Sequence, residues 1–290
     1  MSIPKRTPRI GLCPAASVPC RPHGRETRPF LGPSKPTQVG LEPRTSAPSR
    51  GSGAAASGVG PFRALIFDMD GTMIDSMGHH RLSWIEFARR HAIEIAVDDL
   101  MRRTTGRTGA ECMNDLFGRE FNQAESWALV REKEAIYREL FAPVFREVAG
   151  FRAFAACAHS LGLGIGVGTA GDRHNIAFAM QHLALDPAPH AVVGGDEGLP
   201  GKPAPAIFLE VARRLGVAPE HCVVFEDAPF GIEAARRAGM AAVAVCSSHS
   251  AHDLAGPHVL GSIDNYRGAA AAAILKTMTV PETDHAADLT

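Results

Sequence analysis

The stretch Phe67-Asp68-Met69-Asp70-Gly71-Thr72, entered from the apolar run Ala64-Leu65-Ile66, decides how this chain is read. The apolar run predicts a buried strand, and the strand ends in two carboxylates spaced i and i+2. Successive strand residues point to opposite faces, so Asp68 and Asp70 share one side of the chain as it leaves the sheet. Gly71 then permits a sharp turn. Two acids held together repel each other, which is costly unless a cation, a shared proton or a reaction makes use of them.

Working outward, short apolar runs at 63–68, 163–168, 190–194, 222–226 and 241–245 alternate with amphipathic stretches at 152–161, 174–183, 204–215 and 230–238. Strands alternating with helices at this spacing predict right-handed crossovers and an α/β fold: a Rossmann-like parallel sheet with helices on both faces. Ligands of such sheets gather at the carboxyl ends of the strands. Between the first strand and the second the chain is too long for one crossover. From His79 to about Arg146 it has a helical period, with Trp84, Phe87, Ala88 and His91 on one face and Ile136, Leu140 and Val144 on another. This segment, 79–146, is expected to form an inserted α-helical cap beside Asp68, with the catalytic core made of 61–78 and 147–290. A cap there is placed to exclude water and select substrate.

Residues 1–60 differ in kind. Pro, Gly, Ser and Arg dominate and no helical or strand period persists, so a disordered extension is expected. Its basic excess raises an organellar targeting segment, but the prolines break any amphipathic face, and a plain extension or an upstream start codon ranks ahead. Across the whole chain 30 Lys+Arg stand against 31 Asp+Glu, a balance that argues against a dedicated nucleic-acid binder. The six cysteines have neither CxxC pairing nor zinc spacing, which suits incidental thiols in a reducing cytoplasm. No apolar run approaches the roughly 20 residues of a spanning helix, so no membrane partner is expected. The protein should be a monomer or weak homo-oligomer.

Each later strand end carries one polar residue of a useful type. Thr169 follows Gly164-Ile165-Gly166-Val167-Gly168, Lys202 sits in Gly201-Lys202-Pro203-Ala204-Pro205, and Glu226-Asp227 close Cys222-Val223-Val224-Phe225. Alone, each has a bland reading: a helix cap, a surface turn, a solvated acidic pair. Together they stand in order at successive ends of one parallel sheet.

That ordered set, Asp68-x-Asp70-Gly71-Thr72, Thr169, Lys202 and Glu226-Asp227, resembles the four motifs of the haloacid dehalogenase superfamily over residues 62 to about 248. The finer text Val224-Phe225-Glu226-Asp227-Ala228-Pro229-Phe230-Gly231-Ile232 is similar to the branch that holds β-phosphoglucomutase and sugar-phosphate phosphatases, which carries a small helical cap. The resemblance implies that Asp68 is a nucleophile forming an aspartyl-phosphate. It implies Mg2+ held by Asp68, Asp227, Glu226 and the backbone carbonyl of Asp70. Lys202 and Thr169 would bind the phosphoryl oxygens, and Asp70 would protonate the leaving oxygen and then accept a proton from water. For that, Asp70 is expected to be neutral while Asp68 is ionised.

Within the superfamily, dehalogenating members lack an acid two residues after the nucleophile, so Asp70 favours phosphoryl transfer. Phosphonate-cleaving members need a cap lysine for a Schiff base, and residues 79–110 contain none. The remaining choice is hydrolase or hexose-phosphate mutase. His80, on the same helix face as Trp84, matches a cap position near the general acid in both. In mutases an arginine meets the distal phosphate; here Gly109 takes that place, with Arg107 two residues away, and Asp172 beside Arg173 would repel a second phosphate. The expectation is therefore a Mg2+-dependent phosphatase acting on a small phosphorylated metabolite, most simply a sugar phosphate. A β-phosphoglucomutase-type mutase is the alternative, and a catalytically silent regulatory member of the fold stands third.

Overall fold

β1 (Ala64–Phe67) is the centre about which the other elements are laid down. It pairs in parallel with β2 (Gly164–Gly168) on one side and β4 (Cys222–Glu226) on the other. β3 (Ala191–Val193), β5 (Ala241–Val245) and β6 (Val259–Ile263) extend the sheet to six parallel strands in the order β3-β2-β1-β4-β5-β6. The computed structural model describes residues 62–104 and 109–278. Readings placed on residues 1–60 and on Arg107 lie outside the described residues.

The strands are continuous apolar runs because both faces are covered. Alternate side chains divide between two cores. Leu65, Phe67, Val223, Phe225, Val243 and Val245 face α5 (Phe151–Ser160), α6 (Arg173–Leu183) and α9 (Ala269–Thr277). Ala64, Ile66, Val224, Ala242 and Ala244 face α7 (Ala206–Leu215) and α8 (Pro229–Arg237). On the first face Phe67 meets Phe151 edge-on with ring centroids 5.1 Å apart, which fixes the register of α5 on the sheet. The strand order changes direction at β1: the chain runs out through β2 and β3, then returns to add β4 on the other side. That reversal opens a crevice outside the carboxyl ends of β1 and β4.

Between β1 and β2 lie α1 (Met77–Arg90), α2 (Val97–Thr104), α3 (Gly109–Phe117) and α4 (Gln123–Phe141), the inserted helical cap. They close on a small core of their own, Phe87, Met113 and Ile136, with Trp84, Phe117, Phe121, Leu129 and Val130 packed against it. α4 begins with a capping box, Asn122 Oδ1 accepting from Glu125 N and Glu125 Oε2 accepting from Asn122 N.

One expectation needs correction, and one strand was not anticipated. Ile136 is buried as expected, but Leu140 is 38% and Val144 52% exposed, and Val144 lies beyond α4 in a 3₁₀ turn. The buried face of α4 runs instead through Lys133, Ile136, Tyr137 and Phe141, because this helix packs on the core as well as on α1. β6 had no apolar run to announce it. Gly261 and Ser262 dilute it, and as an edge strand it is half exposed.

Candidate active site

Asp68 is the first residue past β1, its N–H bonded to Phe225 O at 3.0 Å, so the position of the carboxylate is set by the sheet itself. The chain then coils tightly: the amides of Met73 and Ile74 both return to Met69 O, at 2.9 and 3.1 Å. Gly71 makes this coil possible. Its φ is +80°, and a Cβ there would fall 2.1 Å from Asp227 Oδ2. The coil turns Asp68 and Asp70 toward different partners.

Asp68 faces inward. Lys202 Nζ donates to its Oδ1 and, at 2.8 Å, to Glu226 Oε1, while lying 4.7 Å above the Phe208 ring. Glu226 Oε2 accepts from Ala228 N at 2.7 Å, so both oxygens of Glu226 are engaged by protein groups. Glu226 is locked further by Gly231, where a Cβ would sit 1.7 Å from Oε1. Glu226 would have to give up one of these contacts to reach an ion. Asp227, the next residue, accepts on Oδ2 from Ser248 Oγ and has Thr72 Oγ1 at 3.4 Å from Oδ1. Thr169 is buried at the end of β2 and accepts from Gly171 N on Oγ1 at 2.9 Å, which leaves its hydroxyl proton to donate.

Asp70 faces the cap. Its Oδ1 accepts from Ser76 Oγ at 2.7 Å and Tyr137 OH at 3.3 Å, and His80 Nε2 lies 3.2 Å away. The His80 ring stacks on Tyr137 with centroids 3.9 Å apart. Lys133 Nζ reaches His80 Nδ1 at 2.9 Å. A lysine ammonium has donors only, so Nδ1 accepts and the imidazole proton sits on Nε2, pointed at Asp70. Lys133 also donates to Glu134 Oε1 at 2.8 Å. Glu134 Oε2 accepts from Asn175 Nδ2 at 2.7 Å, and Asn175 Oδ1 accepts from Arg138 Nη1 at 2.6 Å. Through Asn175, on α6, the cap helix α4 is bonded to the core.

The electrostatics set the two aspartates apart. Burial drives the Asp68 carboxyl well above the usual aspartate range; Lys202 opposes it, while Glu226 and Asp227 push the same way. Burial would raise Asp70 as well, but His80, Ser76 and Lys133 outweigh it and hold Asp70 below its ordinary value. Without a metal, Asp70 is therefore the better stabilised anion and Asp68 the costly one, whereas the expected order, Asp70 neutral and Asp68 ionised, belongs to the site with its cation. The physical reason is the company each keeps: Asp70 has donors from the cap, whereas Asp68 shares a single lysine with two other carboxylates. Asp227 is pushed up to about 7, first by burial and then by Glu226. Lys202 is raised despite burial, by Asp68 and Glu226.

This excess of buried negative charge is the observation against which a cation is tested, and Asp68, Asp227 and the Asp70 carbonyl are hard oxygen donors suited to Mg2+. Among the described residues no three His, Cys, Asp or Glu side chains form a ready-made metal cluster.

Sequence reasoning placed Asp68, Asp70, His80, Thr169, Lys202, Glu226 and Asp227, and the structure brings Asp68, Lys202, Glu226 and Asp227 into one cluster and His80 onto Asp70. It missed Ser76, Lys133, Tyr137 and Ser248. Lys133 bears on the Schiff-base argument, since a cap lysine does reach the site, from a helix outside the window 79–110. Its Nζ is taken up by His80 and Glu134.

The architecture and the site meet in one family. The haloacid dehalogenase-like hydrolase profile matches residues 62–239, and the chain belongs to that family. It is an enzyme, a hydrolase of phosphoric monoesters. The chain is 35% identical over 192 residues to fructose-1-phosphate phosphatase YqaB of Escherichia coli, covering 63% of this chain and 96% of that one. It is 32% identical to β-phosphoglucomutase of Bacillus subtilis, over 63% of this chain and 83% of that one. Among solved structures, a family IA haloacid dehalogenase-type hydrolase of Entamoeba histolytica superposes with a TM-score of 0.65 at 25% identity, covering 74% of this chain and 99% of that one. Among the described residues no helix is long and apolar enough to cross a membrane.

Proposed function

We propose that this enzyme is a Mg2+-dependent phosphatase of a small phosphorylated metabolite, a sugar phosphate, working through an aspartyl-phosphate. The observation that carries the proposal is the pairing of Asp68 with Lys202 on one side of the coil and of Asp70 with His80 on the other.

Asp68 attacks phosphorus in line with the ester oxygen. A bond forms from its carboxylate to phosphorus as the bond to the leaving oxygen breaks. Lys202 and the Thr169 hydroxyl bind the equatorial oxygens. Asp68, Asp227 and the Asp70 carbonyl would hold Mg2+, which supplies the positive charge that three clustered carboxylates and one lysine lack. Asp70 carries the proton for the leaving oxygen on its own carboxyl, while Nε2–H of the neutral His80 and the Ser76 and Tyr137 hydroxyls hold Oδ1. Asp70 delivers it, then takes one from the water that attacks the aspartyl-phosphate and releases phosphate. The cap contacts around His80 exclude other water during the first step.

Hydrolysis is preferred to mutation because two of the described cations near the site, Lys133 and Arg173, are already matched. Lys133 is bound to Glu134, and Arg173 turns to Asp196 at 3.4 Å with its side chain 80% exposed. A distal phosphate would compete with both acids. A neutral, hydroxyl-rich leaving group would not, and it fits the relative that bears the name of a fructose-1-phosphate phosphatase.

The test is phosphate release from p-nitrophenyl phosphate and a sugar-phosphate panel with Mg2+ and with EDTA. Metal-dependent release from at least one sugar phosphate is expected. Interconversion of β-glucose 1-phosphate and glucose 6-phosphate without release, when primed with a bisphosphate, would overturn hydrolysis in favour of the mutase, and folded protein inert toward all of them, primed and unprimed, would overturn both.

A further inference from the structure

We infer that Ser248 is a positioning residue for the Asp227 carboxylate: its hydroxyl holds Oδ2 and so fixes the orientation in which this carboxylate would meet a divalent cation. The inference rests on the metal reading above and goes beyond it to a residue that the four motifs do not contain.

Ser248 lies in the loop after β5. Its Oγ contacts Asp227 Oδ2, lies 2.9 Å from Asp227 O and 2.8 Å from His249 Nδ1. A hydroxyl has one proton to give. His249 Nδ1 is itself 2.9 Å from Asp227 O, so its N–H serves that carbonyl, and the Ser248 proton goes to the charged oxygen, the stronger acceptor. On its other side Oδ2 is closed in by Gly71, where a Cβ would lie 2.1 Å away. Among the described residues Oδ1 has the long contact of 3.4 Å from Thr72 Oγ1. The two oxygens of Asp227 are therefore not equivalent.

The loop that makes this distinction is itself held. Cys246 N bonds Ile263 O at 2.8 Å, Ser247 N bonds Val245 O at 2.9 Å, and Ser247 Oγ donates to Gly71 O. Two consecutive serines thus tie the end of β5 to the coil after β1 and to the end of β4. Neighbours that hydrogen-bond a metal ligand set its orientation, and their loss weakens metal binding about tenfold or more.

The experiment measures Mn2+ binding by electron paramagnetic resonance of the free ion, on the full chain without substrate, so turnover plays no part. Ser248→Val and Ser248→Thr have nearly the same shape and differ in the hydroxyl. Ser248→Val is expected to bind Mn2+ about tenfold more weakly than the wild-type chain, and Ser248→Thr to stay within about threefold of it. Equal affinity of Val and Thr variants, both with wild-type circular dichroism, would overturn the assignment. Failure of the wild-type chain to bind Mn2+ would instead remove the metal reading, and the role of Ser248 with it. Should Ser248→Val not fold, Ser248→Ala is measured against Ser248→Thr on the same criterion.

Discussion

His80 Nε2 lies 3.2 Å from Asp70 Oδ1, and the same imidazole accepts from Lys133 on its other nitrogen. The expected acid of the reaction is thus addressed by a histidine whose proton is aimed by a buried lysine from a helix far along the chain.

Removing the nucleophile separates chemistry from this arrangement. Asp68→Asn is expected to abolish phosphate release, and Asp70→Asn to lower kcat by about 10³-fold, within the range for loss of an acid–base group. Burst-phase kinetics with an aryl phosphate check both. Turnover by Asp68→Asn above about a hundredth of wild type would reject Asp68 as the nucleophile.

Lys133 is 3% exposed and paired with Glu134, whose carboxyl is held below its usual range by Lys133 and His80 against the opposing effect of burial. Lys133→Met should cost about 3 kcal/mol in urea unfolding, because it leaves a buried carboxylate without its cation. The double change with Glu134→Gln should recover part of that loss. Additive losses in the cycle would mean that the pair does not interact.

The metal-free protein should lose stability as pH rises from about 5 to about 8. Asp227, pushed up to about 7, and Asp68, raised in the same direction, keep protons in the folded state that they have lost in the unfolded chain, so folding takes up protons in this window. Asp70 and Glu134 are depressed, and their contributions change only at lower pH. Lys202 is raised and remains charged throughout. Mg2+ should flatten the dependence and bind more tightly at the higher pH, as a proton no longer competes for Asp227. Thermal unfolding at each pH, with Mg2+ and with EDTA, gives the answer; a rise in metal-free Tm with pH would contradict it.

Gly71→Ala should cost about 2 kcal/mol or more and remove activity, since it combines a left-handed residue with a clash against Asp227 Oδ2. Gly118→Ala, also at positive φ but with open space about it, serves as the comparison. It should cost only the backbone strain, read by urea unfolding, and keep its turnover.

Much of this was legible because strand ends obey local rules. Asp68, Thr169 and Glu226-Asp227 announce themselves by closing or following apolar runs, and parallel pairing then brings them to one edge of the sheet. Lys202 was found by its place in the order. What was not legible depends on distance across the fold. Tyr137 and Lys133 lie on α4, and no spacing rule says that this helix returns to the coil after β1. The opposite metal-free shifts of Asp68 and Asp70 were not legible either, because two carboxylates look alike in sequence and differ only in what surrounds them.

Asn175 holds α4 against α6, and the helix it holds carries the groups that position the acid. α1 and α4 share the core of Phe87 and Ile136, so a movement of the cap would carry His80, Lys133 and Tyr137 together and part them from Asp70. The nucleophile thus stands on the sheet while the groups that set the acid stand on the cap, so the catalytic pair is split between two bodies and is complete only where they meet.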